Sequence, residues 1–312
     1  MPVCTRLLTL LCLLSLGLQV QAATLLVANK SEASVSLLQL PGFREVARLA
    51  TGAGPHEVAV APDGRRALVT NYGLRGAPGQ SLTLVDIAAA SVLATVELPT
   101  GARPHGVEWL DDQRAAVTAE GLQQLLIVDA DRGEVSAAID VNQDIAHMVA
   151  TDPRTGRAYT ANIGSGSATA IDLAAGRKIA DLATGKGAEG IALARQGSEL
   201  WVTNRGADTV TIIDTATLET IATLPAAGFP IRAEGDDRRK RVYITLPRAD
   251  ALAVIHTGER REVARIDFDI GPDRERKTLF GDLMPDSSIP VGVLLSGDGE
   301  LLFVAHTNAH VI

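Results

Sequence analysis

Three histidines and a glutamate occupy the same place in a recurring frame: His56 in PHEVAVAPDG, His105 in RPHGVEWLDD, His147 in IAHMVATDP and Glu189 in GAEGIALARQG. Three imidazoles and a carboxylate are a sound ligand set for zinc or another borderline divalent ion. Together with Arg232 of the following copy, FPIRAEGDD, the same side chains equally make a polar pocket for a small-molecule or protein ligand with no ion in it. No H-x-x-x-H spacing puts two of them on one element. Whether they meet therefore depends on how the fold arranges the copies.

The frame continues at Ile231 and Val291, so successive copies are 49, 42, 42, 42 and 60 residues apart. A unit of 42 residues with two insertions is the length of a propeller blade, longer than a leucine-rich or ankyrin repeat. Each unit holds short runs rich in Val, Ile, Thr and Leu, such as ALVTN, AYTAN and LWVTN, then LTLVD, LLIVD, ATAID and VTIID, bounded by Gly, Asp, Asn or Pro. Such runs read as strands joined by turns, and no segment after the N-terminal 22 residues keeps helical spacing for three turns. The expected fold is all-β, a seven-bladed β-propeller. Seven second strands stand against six Pro-His-type first strands. The count therefore expects a three-stranded N-terminal set over residues 24–50 and a last blade incomplete in this sequence, a C-terminal truncation of the propeller domain 23–312.

The VTN, TAN and VTN runs, followed by VDI, IDL and IDT within the PHEVAVAPDG frame, resemble the YVTN-type bacterial propeller repeats. That family is related in fold to the haem-binding propeller of dissimilatory nitrite reductase and to the large subunit of quinoprotein amine dehydrogenases. The resemblance covers roughly residues 24–312. It implies that the strand opening at the Pro-His frame is innermost, so that His56, His105, His147 and Glu189 line a central channel. It specifies a fold well and an activity poorly.

Residues 1–22 carry one basic residue, Arg6, the apolar run LLTLLCLLSLGL and a small-residue end VQA, the pattern of a secretory signal peptide cleaved after Ala22. The expected location is periplasmic or extracellular, with no membrane span in the mature chain. Cys4 and Cys12 both lie in this segment, and the absence of C-x-x-C-H excludes covalent c-type haem. The net charge of −8, with only Arg238–Arg241 as a basic cluster, argues against nucleic acid. Asp86, Asp129, Asp172 and Asp214, and Asn71, Asn162 and Asn204, recur once per unit and read as frame residues of turns. The departures from the frame are GLRGAPGQ (73–80), read as a loop, and an insertion at 269–288 with exposed Leu279, Phe280, Leu283 and Met284, read as covering a channel mouth or docking a partner. No catalytic motif is present. The expected role is a binding or scaffold module with its site at the channel. The alternative is a metal-dependent hydrolase or lactonase, or a redox subunit, using the His/Glu cluster.

Overall fold

A computed structural model describes residues 23–273, 283–309 and 311–312. Strands β1 (Thr24–Asn29), β2 (Ser34–Gln39) and β3 (Arg44–Ala50) form a three-stranded antiparallel sheet. Four-stranded antiparallel sheets follow: β4 (Pro55–Val60), β5 (Arg66–Leu74), β6 (Ala77–Asp86) and β7 (Ser91–Glu97); then β8 (Pro104–Trp109), β9 (Arg114–Ala119), β10 (Gln124–Asp129) and β11 (Glu134–Asp140). The next are β12 (Ala146–Asp152), β13 (Arg157–Asn162), β14 (Ser167–Asp172) and β15 (Arg177–Ala183), and β16 (Ala188–Ala194), β17 (Glu199–Asn204), β18 (Thr209–Asp214) and β19 (Thr220–Pro225). Last come β20 (Ala233–Asp236), β21 (Arg241–Leu246), β22 (Ala251–His256) and β23 (Arg261–Asp267), with β24 (Pro290–Leu295) and β25 (Leu302–His306) pairing as two strands.

Each sheet packs face to face on the next. Leu68, Leu82 and Val96 meet Val107, Val117 and Leu126; Trp201 and Ile212 meet Val242, Ile244 and Ile255; Tyr243, Leu252 and Val254 meet Val293, Leu302 and Val304. The middle strands are buried along most of their length, while the fourth strands are largely exposed, β23 at every residue. A sheet covered on both faces by its neighbours is the packing of propeller blades, and it accounts for the 46% apolar composition. The first strands β4, β8, β12, β16, β20 and β24 contact one another in order, as an inner ring must. Phe43, in the turn before β3, stacks edge-on against Phe303 of β25 at 6.3 Å, so the first sheet meets the last.

The aspartates and asparagines are frame residues. Asp86, Asp129, Asp172 and Asp214 accept backbone N–H groups of the turns that follow them. Asn71, Asn162 and Asn204 donate to hydroxyls on the adjacent strand. Two expectations are corrected. Residues 73–80 are no loop: β5 and β6 extend to pair Gly73 with Pro78 and Leu74 with Ala77, so the insertion lengthens a hairpin. In the 269–288 insertion, Leu283 is exposed but Met284 is 4% exposed, because the segment after it is pulled in by Ser287 and Ser288, which bond Pro247 and Asp250. Leu279 and Phe280 lie outside the described residues.

Candidate functional site

The inner strands carry a repeated defect. Pairing slips between Pro55 and Val58 in β4, Pro104 and Val107 in β8, Ala146 and Met148 in β12, and Ala188 and Ile191 in β16. Such a bulge bends the strand and re-aims the unpaired residues, which here are His56 and Glu57, His105, His147 and Glu189. A threonine of the second strand pins the bulge: Thr70, Thr118, Thr203 and Thr245 accept the N–H of Glu57, Gly106, Gly190 and Arg232 at 2.8–3.1 Å. Thr118, Thr203 and Thr245 also donate to the backbone carbonyl of the next blade's bulge, at His147, Ile231 and Val291. The threonine thus fixes the inner-strand backbone of its own blade and, at Thr118, Thr203 and Thr245, of the next, whereas Thr160 of the AYTAN run donates to Asn162 instead.

All five residues singled out from the sequence come together. The rings of His56 and His105 lie 4.1 Å apart between centroids and those of His105 and His147 3.5 Å apart, making a tilted stack across three blades. His147 Nε2 is 3.5 Å from Glu189 Oε1, and Arg232 sits between Glu189, at 3.3 Å, and Glu57, at 2.7 Å. Arg232 comes from one residue beyond the histidine column, the place held by Glu57 in β4, while Ile231 in the column itself is fully buried.

Sequence reasoning missed several partners. Glu120, from a single 3-10 turn (Glu120–Leu122) after β9, has Oε1 2.5 Å from His147 Nδ1, and its Oε2 accepts the Tyr72 hydroxyl at 2.8 Å. Arg103 lies 3.5 Å from Glu120 and 4.5 Å over the Tyr72 ring, with Lys30 on the same ring at 4.9 Å. Arg205 pairs with Glu189 at 2.5 Å and, with Arg248, flanks the Phe229 ring. Glu57 was visible as the neighbour of His56; the others stand on turns or, for Tyr72, at the end of β5, and only the ring closure reveals that they meet.

Burial disfavours the charged form of Glu57 and Glu189, but ion pairs outweigh it: Arg232 and His56 for the first, His147, Arg232 and Arg205 for the second, so both titrate at about 2. Burial, then the neighbouring His147 and His56, hold His105 well below the ordinary histidine value. Burial lowers His56 too, against the hydrogen bond to Glu57. Burial also opposes protonation of His147, yet Glu120 and Glu189 raise it. His105 is 1% exposed, and neither ring nitrogen has a hydrogen-bond partner among the described residues. Buried imidazole nitrogens without partners are costly unless a ligand takes them.

Residues 110–286 match the cytochrome D1 heme domain family. The chain belongs to the cytochrome D1 heme domain family. Of the two fold relatives of the repeat family that the sequence resembles, the haem-binding propeller is therefore the one in view; the YVTN label remains a resemblance. Protein NirF of Pseudomonas aeruginosa is 27% identical over 194 residues, 60% of this chain and 48% of that protein. Protein NirF of Stutzerimonas stutzeri is 26% identical over 182 residues, 56% of this chain and 46% of that protein. The chain spans about half the length of the curated relatives it matches. Among solved structures, the hydrazine synthase of Kuenenia stuttgartiensis superposes with a TM-score of 0.74 over 91% of this chain and 89% of that one, at 20% identity, a likeness of fold alone. Among the described residues no helix is long and apolar enough to cross a membrane.

Proposed function

We propose that this protein is a seven-bladed scaffold that binds a haem-type tetrapyrrole, of the class its family is named for, at the mouth above the histidine stack. The observation that carries the reading is a cationic rim over partner-seeking imidazoles: Lys30, Arg103, Arg205 and Arg248 stand around the mouth of a chain whose net charge is −8. Carboxylate arms of a macrocycle match such a rim through charge-assisted hydrogen bonds. Tyr72 and Phe229 add flat apolar surface within the same ring of side chains. His56, whose side chain is 19% exposed, is the histidine that would meet the macrocycle from below. A bound haem would supply a redox-active iron, and His56 would be the imidazole that holds it.

The chain's own part is to orient and to exclude water. Glu57 holds the His56 ring by a 3.3 Å contact to Nδ1, which leaves Nε2 as the presented atom. The binding is non-covalent, since no C-x-x-C-H is present. The N-terminal segment supports a periplasmic site of action. Titration of the protein with ferric haem, followed by the Soret band, tests the reading, with metal-free protoporphyrin as the comparison. Saturable binding of haem, weakened about tenfold by loss of either Arg103 or Arg205 and changed in spectrum by His56→Ala, is expected. Haem uptake that ignores all three substitutions refutes it.

A further inference from the structure

Below His56 the stack contains a second, fully enclosed group. His105, Glu120 and His147 are all buried and each places one ligand atom within 4.8 Å of the other two. We propose that this deeper group binds one borderline divalent ion of the zinc and cobalt class, with His105 and His147 as its nitrogen ligands, independently of any macrocycle at the mouth.

Three features of the geometry carry the assignment. The first is His105, which offers two ring nitrogens with no partner among the described residues at 1% exposure. A core histidine serving only to fill space hydrogen-bonds a carbonyl or hydroxyl, as His306 does with Ser288 at 2.7 Å. The second is His147, held on one side by Glu120 through Nδ1 at 2.5 Å, while its Nε2 makes no hydrogen bond within normal geometry among the described residues and lies 3.5 Å from Glu189. A carboxylate that fixes one imidazole nitrogen and presents the other is the outer-sphere arrangement of metal-binding histidines. The third is charge. Glu120 on the Nδ1 side and Glu189, 3.5 Å from Nε2, flank the same ring, so a carboxylate stands next to whichever nitrogen takes the ion.

Buried nitrogen and oxygen donors from neighbouring blades, with no cysteine among the described residues, suit zinc or cobalt more than copper(I) or calcium. The stacked rings must rotate within their rotamers to turn their nitrogens toward one point, because ligand atoms of a tetrahedral site lie closer than 4.8 Å.

The test uses full-length protein stripped with chelator and free of tetrapyrrole. Zinc loading followed by dialysis and elemental analysis is expected to show one equivalent per chain, and cobalt(II) is expected to give the visible absorption of a low-coordinate N/O site. His105→Ala and His147→Ala should each remove the stoichiometric ion, and Glu120→Gln should weaken it about 10–100-fold. If His105→Ala fails to fold, judged by circular dichroism, Glu120→Gln decides, since it keeps the shape of the side chain. Substoichiometric uptake, or retention undiminished in these variants, overturns the proposal. Because no macrocycle is present, protein that takes up zinc yet ignores haem refutes only the mouth reading, and the reverse result refutes only this one.

Discussion

Two carboxylates deeper along the inner ring set a pH dependence of stability that can be worked through. Glu108 of β8 accepts the N–H and hydroxyl of Thr151 at 2.7 and 2.9 Å, and Glu234 of β20 accepts the N–H of Leu295 at 3.2 Å. Each ties its inner strand to the next. Burial raises both to about 7, opposed by those hydrogen bonds and reinforced at Glu108 by Glu234 and at Glu234 by Asp236. The unfolded chain releases these protons near 4.5, so between pH 4.5 and 7 the folded state holds more protons than the unfolded one. Their contribution is therefore fully present below pH 4.5 and lost as pH rises through about 7. A shift from 4.5 to about 7 corresponds to about 3 kcal/mol per group. Both residues are half-buried, and halving the figure for solvent screening leaves about 3 kcal/mol for the pair. The perturbation is Glu108→Gln with Glu234→Gln, which keeps an acceptor oxygen at each place. Urea unfolding followed by the fluorescence of Trp109 and Trp201 is measured from pH 4.5 to 8. The variant should gain about 3 kcal/mol over the parent at pH 8 and little at pH 4.5. His147 titrates in both proteins, so the difference between the curves isolates the carboxylates. Parallel curves would refute the reasoning.

Other outcomes follow from the same contacts. Arg232→Ala should destabilise by about 1–3 kcal/mol in chemical denaturation, because it removes the buried cation that Glu57 and Glu189 share and leaves them with His56 and with Arg205 and His147. Thr118→Val keeps the volume but leaves the Gly106 N–H and the His147 carbonyl without their hydroxyl, a loss of about 2–4 kcal/mol by thermal or urea melts. Gly190→Ala should cost at least as much, since its Cβ would fall 2.3 Å from the Ile231 oxygen and 2.8 Å from Arg232 Cα, prising β16 from β20.

The repeat made the fold legible: a 42-residue step with VTN-like and VDI-like runs located the strands, and the Pro-His frame located the inner edge. His56, His105, His147, Glu189 and Arg232 were legible because the frame repeats. Glu120, Arg103 and Arg205, on turns, and Tyr72, in the lengthened end of β5, were not, since their offsets from the frame carry no signal until the ring is closed. Residues 73–80 misled because Gly and Pro usually break strands, whereas here Gly73 and Gly76, at φ of 89° and 79°, supply the turn that lets the hairpin continue.

The bulges explain why a fold of near-identical blades concentrates its chemistry at one mouth. A regular strand alternates its side chains between the two blade faces, where neighbouring sheets bury them. The slipped residues at the start of β4, β8, β12, β16 and β24 escape that alternation, and behind β8 and β16 a threonine fixes both their own backbone and the next blade's. Consecutive blades can thus exchange histidine for glutamate or arginine at the axis without disturbing the packed faces. Three blades here spend that freedom on imidazoles, the next on Glu189 and the one after on Arg232, which produces a charge gradient around the ring rather than a symmetric one. The half-buried His56 and Glu57 are thus what the mouth presents, with His105 buried behind them on one side and the Arg232–Glu189 pair on the other.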